Sequence, residues 1–539
     1  MKLFGKLVDI HSRSIFDAEI SIENGIITTI TQSDKTCDRF ILPGLIDAHV
    51  HIESSMVTPA AFAAETVKHG TVAVVSDPHE IANVCGIRGI DFMIENSKSV
   101  PMKFYFGAPS CVPATLFETS GAFIDENAVE KLLRKPKIYY LSEVMNFPGV
   151  VNDDEAVMKK ISLAKEIGKP IDGHAPGLRG DNLKKYIDTG ITTDHECMTY
   201  EEAEKKILNG MKILIREGSA ARNLDNLKDL YRKYPAKLML CSDDLHPEML
   251  MRGHINKLVG RLISEGYNMF DVIRSATFNP ALHYNTGTGL LRVGDPADLI
   301  IVDSPEKMNI IETWIDGVKV FGNGGVNFSA NFAPELNNFN CSKISTEEIK
   351  VLAGGSKVKV IEAFDGELFT KRIIVPAWGK EELCSDTEND ILKIVVKERY
   401  NDSPPSVGFI KGFNLKHGAF ASSVAHDSHN IICVGVSDND IVNAINAVVE
   451  MRGGLAVCTG DTISKLKLEI GGIMTSASCA ETAENYLKLN NEISGMGCRL
   501  KAPFMTLSFM ALLVIPELKM GDKELFDVVS FSNTKIFLK

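Results

Sequence analysis

The first residues of the chain alternate apolar and polar side chains, which is the pattern of strands with one buried face. The segment EISIENGIITTI, at residues 19–30, keeps this alternation on both sides of Asn24 and Gly25. An Asn-Gly pair favours the type I′ turn of a tight hairpin. We therefore predict that the chain begins with a small β-domain.

From about residue 41 the pattern changes to short apolar strands that are each followed by an amphipathic helix. IYYLSEV leads into DDEAVMKKISLAKEIGKP, where Asp153 or Asp154 can cap the helix and Gly168 with Pro170 ends it. The segments PIDGHA, ITTDHE, MKILIREG and KLMLCSDD each lead into a further helical stretch. Strands that return after each helix are typical of a parallel barrel, so we predict an α/β fold with a (β/α)8 barrel at residues 43–280.

Alternating strands resume after about residue 280, in LRVGDPADLIIVD and in ETWIDGVKVFGNG, which carries an Asp316-Gly317 hairpin signal. Because β-segments flank both ends of the barrel, we predict that residues 1–42 and 281–330 form one discontinuous β-sandwich domain. Residues 322–345 are rich in Gly, Asn and Ser and are predicted to be a linker. A C-terminal α+β domain is predicted at 346–539.

The composition fits a multidomain globular protein that acts on a small molecule. Of the 539 residues, 45% are hydrophobic and 24% are charged, which leaves ample material for large cores. The formal net charge is -12 and the chain has no Lys/Arg block, which argues against a nucleic-acid partner. A small neutral substrate fits this charge better.

The cysteines and the first residues predict the cellular location. Eleven cysteines, an odd number, are scattered with no C-x-x-C pair, so we expect reduced thiols. Residues 1–30 lack the basic start and apolar stretch of a secretion signal, and no apolar run is long enough to span a bilayer. We therefore expect a cytoplasmic protein with no membrane partner.

The sharpest chemical signal is PGLIDAHVHIESSM, in which His49 and His51 stand two apart at the end of a strand-like run. Positions i and i+2 of a strand share a face, so both imidazoles would point into the barrel mouth and hold one metal ion together. The alternative is a pair of core histidines. It is disfavoured because further candidate ligands follow later strands.

These later candidates are His174 in DGHAPG, His195 in TTDHE and Asp243 in CSDD. Active sites of (β/α)8 barrels are assembled at the C-terminal ends of the strands, so residues far apart in sequence converge there. Alone, either histidine is more typical of a hydrogen-bonded core or loop position. Together with the H-x-H pair, they predict a metal-ligand set.

Glu143, in YYLSEVMNFPG, completes this set after another apolar strand. A carboxylate can bridge two ions through its two oxygens, which a single imidazole cannot do. The alternative is a solvated acid after a strand. Two cations that share one water strongly depress its pKa, and Asp243 could accept its proton. Imidazoles with carboxylates suit Zn, Mn or Fe(II) better than Mg or Ca.

Seven motifs resemble those of the bacterial and archaeal adenine deaminase family of the amidohydrolase superfamily. They are PGLIDAHVHIESSM, DPHEIANVCG, PGVV, GHAPGL, IREGSAARNL, CSDD and SSVAHDSHN. The resemblance runs over almost the full chain. It implies hydrolysis of adenine to hypoxanthine and ammonia in purine salvage, at a binuclear centre of Mn2+ or Fe2+, with Zn2+ as the third alternative.

The resemblance implies the same ligands as the strand positions do. They are His49, His51, His174, His195 and Asp243, with Glu143 as the bridging carboxylate. Many superfamily relatives use a carbamylated lysine as the bridge, but no lysine occupies this strand end. Within CSDD we assign the ligand to Asp243, because the first acid is usually the ligand in similar deaminases, and we place Asp244 near the substrate.

The DPHE segment places Asp77, His79 and Glu80 after the apolar strand TVAVVS, at the same barrel face. Attack at C6 of adenine requires protonation of ring N1, so a nearby acid is needed. We assign this catalytic role to Glu80, with Glu196 and Glu53 as alternatives. Asp77 is assigned to substrate binding.

Two polar clusters complete the prediction. In IREGSAARN, Ser219 and Arg222 are assigned to the purine pocket together with Arg216, although a surface acid is an alternative partner of Arg222. In HDSHN, His426 and His429 flank Asp427 in the C-terminal region. For this cluster we favour a loop that closes over the barrel mouth or orders the domain contact over a second metal site.

Two other interpretations and the subunit count stay open. The ligand set specifies activated water and not the substrate, so another nucleobase deaminase or a cyclic amidase is the alternative function. A non-enzymatic scaffold is disfavoured because all ligand positions are filled. We expect a homo-oligomer, with a dimer as the specific prediction.

Overall fold

The computed structural model describes residues 1–330 and 334–538. The chain begins with four strands, and β2 turns into β3 through Asn24 and Gly25. The φ angles of these two residues are 49° and 80°, and a type I′ turn requires positive values at both positions. The strands are β1 (Lys2–Asp9), β2 (Ser14–Glu23), β3 (Ile26–Gln32) and β4 (Phe40–Pro43).

Eight parallel strands then form the barrel. They are β5 (Leu45–Val50), β6 (Thr71–Ser76), β7 (Lys103–Ala108), β8 (Ile138–Val144), β9 (Ile171–Gly173), β10 (Thr193–Asp194), β11 (Lys212–Arg216) and β12 (Leu238–Cys241). Strands β5 to β9 pair in order, and so do β10 to β12. Asp243 N donates to His49 O at 3.0 Å and His51 N donates to Asp243 O at 3.3 Å, which closes the barrel between its first and last strands.

Helices connect the barrel strands. They are α1 (Pro59–Thr66), α2 (His79–Cys85), α3 (Ile87–Ser97), α4 (Glu126–Leu133), α5 (Phe147–Val151), α6 (Glu155–Ile167), α7 (Gly180–Asp188), α8 (Tyr200–Leu208), α9 (Leu224–Leu227), α10 (Pro247–Leu250), α11 (Ile255–Ser264), α12 (Met269–Ser275) and α13 (Phe278–His283). Short 3-10 helices lie at Ile52–Ser55, Val67–His69, Lys228–Arg232, Pro235–Lys237 and Thr346–Ile349. Asp154 caps α6 by accepting from Val157 N at 3.0 Å, and Gly168 ends that helix with a φ of 78°.

Four strands after the barrel join the N-terminal strands. They are β13 (Leu299–Val302), β14 (Ile310–Ile315), β15 (Val318–Gly322) and β16 (Gly325–Val326). Strand β13 pairs antiparallel with β4, so both ends of the barrel contribute to one eight-stranded sheet. The turn between β14 and β15 uses Asp316 and Gly317, whose φ angles are 48° and 71°.

The C-terminal region contains a second large sheet of nine strands, a separate small sheet of three strands, and helices. The strands are β17 (Lys357–Glu362), β18 (Lys371–Pro376), β19 (Leu392–Lys397), β20 (Ser406–Lys411), β21 (Ala419–Ser422), β22 (Ile431–Gly435), β23 (Gly454–Thr459), β24 (Thr462–Lys467), β25 (Leu518–Met520), β26 (Leu525–Asp527), β27 (Ser532–Thr534) and β28 (Phe537–Leu538). The helices are α14 (Asp438–Met451), α15 (Cys479–Gly495) and α16 (Pro503–Phe509). Among the helices in the described ranges, none is long and apolar enough to cross a membrane.

The C-terminal region lies directly on the barrel mouth. Thr475 N donates to Met56 O at 2.8 Å, and His246 Nδ1 lies 2.8 Å from the hydroxyl group of Tyr486. The parallel barrel with its additional sheet domains confirms the predicted fold class. The domain boundaries stay predictions. Residues 331–333 of the predicted linker and residue 539 of the predicted C-terminal domain lie outside the described residues.

Candidate metal centre

The H-x-H pair lies at the C-terminal end of β5, where both imidazoles are buried in the barrel mouth. The Nε2 atoms of His49 and His51 lie 3.2 Å apart. Asp47 shares this face of the strand one step deeper. Its Oδ1 accepts from Ser242 N at 3.0 Å and from His49 N at 3.3 Å. A buried carboxylate therefore fixes the backbone that presents the pair.

Asp243, rather than Asp244, faces the H-x-H pair. Asp243 Oδ1 lies 3.3 Å from His51 Nε2 and 3.5 Å from His49 Nε2. The side chain of Asp244 accepts instead from Ser54 Oγ at 2.5 Å. The geometry thus favours the first acid of the pair as the ligand candidate.

Glu143 lies between two groups of imidazoles. At the end of β8, its Oε1 is 3.4 Å from His51 Nε2. Its Oε2 is 2.7 Å from His174 Nδ1 and 3.2 Å from His195 Nε2, which follow β9 and β10. The structure therefore brings together all six predicted ligands, and one carboxylate faces both halves of the set.

Most of these separations fit divalent cations, whereas the 2.7 Å between Glu143 Oε2 and His174 Nδ1 is a hydrogen-bond distance. Ligand atoms that each lie about 2.0–2.2 Å from one metal ion stand roughly 3 Å or more from one another. Two further buried atoms at this group, Asp77 Oδ2 and His79 Nδ1, have no hydrogen-bond partner among the described residues. A convergence of unpartnered imidazole and carboxylate atoms is the donor set of a divalent metal centre.

His79 is a candidate that sequence reasoning missed. Its Nδ1 lies 3.2 Å from Asp77 Oδ2 and 3.5 Å from Glu143 Oε1, so it joins the group formed by His51, Asp77 and Glu143. The available signal was its position after β6, which matches that of the H-x-H pair after β5. Asp77, which was assigned to the substrate, is oriented by Ser142 Oγ, which donates to it at 2.7 Å.

Glu80 contacts the HDSHN segment of the C-terminal region. Its Oε1 lies 2.5 Å from His426 Nδ1, and its Oε2 is in closer contact with His429 Nε2. Glu80, His426 and His429 form another group of possible metal ligands, but their contacts are shorter than any at the Glu143 carboxylate and are those of hydrogen bonds. Burial alone would raise the pKa of Glu80, but the neighbouring imidazoles hold it well below its ordinary value. The contact therefore favours a hydrogen-bonded link between the domains over a second metal site.

Arg216 and Glu196 form a charged wall beside Asp243. The guanidinium of Arg216 donates to Asp243 Oδ2 at 2.6 Å and to both oxygens of Glu196 at 2.5 Å and 3.0 Å. Burial alone would raise the pKa of Asp243, but Arg216 and the H-x-H imidazoles hold it well below its ordinary value. Asp243 is therefore an ionised carboxylate with one oxygen directed to the ligand group.

Three other candidates lie away from the ligand group. Ser219 Oγ accepts from His246 N at 2.9 Å. Arg222 is exposed, and its Nε donates to Gly218 O at 2.9 Å. Glu53 is buried, which raises its pKa to about 7, and it accepts from the backbone of α2. The structure does not bring these side chains to the metal ligands.

The comparisons with known proteins cover the whole chain. Residues 40–320 match the profile described as "Amidohydrolase family", and residues 367–532 match "Adenine deaminase C-terminal domain". An adenine deaminase of Methanosarcina mazei is 52% identical over 550 residues, which cover 99% of each chain. The adenine deaminase of Sulfurovum sp. (strain NBC37-1) is 51% identical, and the match covers 98% of each chain. That of Parabacteroides distasonis is 46% identical, and the match covers 99% of this chain and 98% of the relative.

Proposed function

The chain belongs to the adenine deaminase family of the amidohydrolase superfamily, and from this membership we propose how its residues deaminate adenine. The reaction hydrolyses the 6-amino group and yields hypoxanthine and ammonia. The observation that carries the proposal is the position of Glu143, whose Oε1 faces His51 and whose Oε2 faces His174 and His195. Another nucleobase deaminase or a cyclic amidase, the alternative weighed from the sequence, is not favoured.

We propose that a divalent cation binds on each side of Glu143. The proposed ligands besides Glu143 are His49, His51 and Asp243 on one side and His174 and His195 on the other. When bound, such a pair of cations lowers the pKa of water and supplies a nucleophile at neutral pH. We propose Mn2+ or Fe2+, with Zn2+ as the third alternative, because imidazole and carboxylate ligands suit all three.

Asp243 is the proposed acceptor of the proton that the attacking water loses. Its Oδ1 faces the ligand group, while its Oδ2 is held by Arg216, which fixes the rotation of the carboxylate. A base so positioned takes the proton and later returns it to the leaving amine. This role requires the ionised state that Arg216 stabilises.

Glu80 is the proposed group that delivers the proton to ring N1. Its ionised carboxylate contacts His426, whose pKa is raised to about 9 beside Glu80, so a proton held by this imidazole can pass through Glu80 to N1. Asp77 and Asp244 lie beside this group and are the proposed substrate contacts. Ser219 and Arg222 stay predicted substrate contacts that would require movement of their loop.

Metal analysis combined with substrate comparison tests the proposal. The protein is purified without oxygen from cells grown with Mn2+, Fe2+ or Zn2+, and metal content and ammonia release are measured on each sample. We expect two ions per chain and ammonia from adenine, with little from adenosine, guanine or cytosine. A single ion per chain with full activity would contradict the two-metal site. Faster release of ammonia from guanine or cytosine would contradict the assignment of adenine as the substrate.

The homodimer and the cytoplasmic location stay predictions.

A further inference from the structure

The ligand group lies in a cavity that is too small for a purine. This metal pocket measures about 30 Å³, the room of about two waters at roughly 10–15 Å³ each. Its outer wall consists of apolar side chains of the C-terminal region, which are Leu368, Phe509, Leu512 and Val514. A base can reach the ligands only after this wall moves.

A much larger cavity adjoins the metal pocket, and we call it the vestibule. It measures about 1030 Å³, at the upper end of the roughly 300–1,000 Å³ found for ligand pockets. It lies between the barrel loops after β7 to β11 and the C-terminal region. Five residues line both cavities, which are Met145, Glu196, Arg216, Leu368 and Val514.

Most of the cations that line the vestibule already have partners within the protein. Lys160, a lining cation, donates its ammonium hydrogens to Ser110 O at 2.7 Å and Ile124 O at 2.8 Å. The guanidinium of Arg216 forms ion pairs with the carboxylates of Glu196 and Asp243. Arg179 also lines the cavity, together with carboxylates such as that of Glu367. Four lining carboxylates therefore face three lining cations, of which Arg179 alone has neither an ion pair nor a side-chain hydrogen bond among the described residues. This balance favours an uncharged ligand over a phosphate group.

The rim of the vestibule exposes large aromatic side chains. Phe123 is 67% exposed, and Phe369 and Phe531 are 45% and 46% exposed. Exposed apolar groups at the mouth of a cavity mark binding sites, and planar aromatic faces suit stacking with a planar base. Resting on the proposed function, we propose that the vestibule captures an uncharged purine base, which stacks on this rim before it enters the metal pocket.

Hydrogen bonds link the segments that carry the wall between the two cavities. The ammonium of Lys519 donates to Leu368 O at 2.6 Å and to Phe509 O at 2.9 Å. Thr370 N donates to Pro516 O at 2.9 Å, two residues beyond Val514. Because these contacts link the segments that carry the wall, displacement of one segment carries the other with it.

Fluorescence tests capture directly. The chain has only two tryptophans, Trp314 and Trp378, and neither lines the vestibule. Phe123→Trp places an indole on the rim of the holoenzyme, which is titrated with unsubstituted purine, a base with no amino group to lose. We expect saturable quenching, and none for Leu487→Trp, an exposed site on α15. Absence of quenching, or tighter quenching by adenosine 5′-monophosphate than by purine, would overturn the proposal.

Obstruction tests the route. Ala156 lines the vestibule from the exposed surface of α6, so Ala156→Trp narrows the mouth without disturbing a core. We expect a several-fold loss of kcat/KM for adenine, whereas Ser162→Trp, exposed on the same helix, keeps the wild-type value. Equal kcat/KM values for the two variants would refute the route. If the wild-type enzyme released no ammonia from adenine while purine still quenched the indole, the proposed function would fail and the capture site would stand.

Discussion

At the scale of single residues, Asp243 combines two roles that one substitution separates. Its Oδ1 faces the ligand imidazoles, and as a carboxylate it is also the proposed proton acceptor. Asp243→Asn keeps an oxygen ligand but removes the basic atom. We expect kcat to fall by about 10²–10⁴, the usual contribution of general acid–base catalysis, while the metal content stays near two per chain. Kinetics and metal analysis of the same preparation check this.

The neighbouring acid provides the control for that substitution. Asp244 accepts from Ser54 and does not face the imidazoles, so Asp244→Asn should change KM more than kcat. If Asp244→Asn abolished turnover and Asp243→Asn did not, the two assignments would have to be exchanged.

Residue positions could be predicted where one strand or one strand end decides them, and the roles of these residues stay predictions. His49 and His51 share a face because they stand two apart, and Glu143 follows its strand directly. The partners of Glu80 could not be identified, because His426 is 346 positions away and no local pattern encodes such a contact. The ion pair of Arg216 with Asp243 was missed for the same reason.

At the scale of elements, a buried lysine on α8 holds the ends of two barrel strands. The Nζ of Lys206 donates to Ala175 O at 2.7 Å, next to His174, and to Asp194 Oδ2 at 2.5 Å, next to His195. Its third contact, at 2.8 Å, is with Glu202, which also accepts from the backbone of Gly177. One ammonium therefore fixes the spacing of two proposed ligands of the same ion.

Lys206→Met should weaken the binding of the metal ion beside His174 and His195 and destabilise the fold. Removal of the Lys206 ammonium leaves the carboxylates of Asp194 and Glu202 buried without their partner. Breaking a buried ion pair in this way lowers the free energy of unfolding by roughly 3–5 kcal/mol. We expect a lower Tm and a loss of metal toward one ion per chain, and excess Mn2+ should restore part of it. Lys205→Met, exposed on the same helix, should change neither. Unchanged metal content despite a lower Tm would mean that Lys206 stabilises the fold but does not position the metal ligands.

Strand β25 carries a second buried lysine, which makes stability depend on pH. Burial lowers the pKa of Lys519 to about 7, and its contacts are carbonyl oxygens. Between about pH 7 and the ordinary lysine value near 10.4, the unfolded chain holds a proton that the folded chain lacks. Stability from this group therefore rises with pH across that window, by at most about 1.4 kcal/mol per unit.

Urea unfolding at pH 7.5, 8.5 and 9.5 measures this effect. The difference in unfolding free energy between wild type and Lys519→Met should shift in favour of the wild type as the pH rises, because methionine has no proton to lose. A difference that is constant across the three pH values would show that Lys519 is protonated in the folded protein throughout.

Elements could be predicted from the sequence wherever their signals are local. The hairpins at Asn24-Gly25 and Asp316-Gly317 and the strand-helix repeats of the barrel follow from turn chemistry and hydrophobic period. The apolar wall that includes Phe509 and Val514 had no such signal. The sequence pattern of a buried apolar side chain is the same whether it lies in a domain core or over an active site.

At the scale of the whole molecule, the candidate site is built by two parts of the chain. The barrel supplies the proposed ligands, and the C-terminal region supplies the outer wall and the two imidazoles that hydrogen-bond to Glu80. Phe509 stacks on His426 with ring centres 4.7 Å apart, so the wall and these imidazoles are packed together. The C-terminal region therefore acts on the substrate side of the metal centre.

His429→Ala tests this division of roles. The variant removes one contact to Glu80 and none to the six proposed metal ligands, so KM for adenine should rise and kcat should fall while two ions stay bound. His417→Ala, at an exposed position of the same region, should behave as wild type. In a double-mutant cycle with Glu80→Gln, the two losses of kcat/KM should be less than additive, because both substitutions break the same contact. Loss of metal from His429→Ala would instead place that imidazole among the ligands, and the link between the two parts of the molecule would then be a metal site.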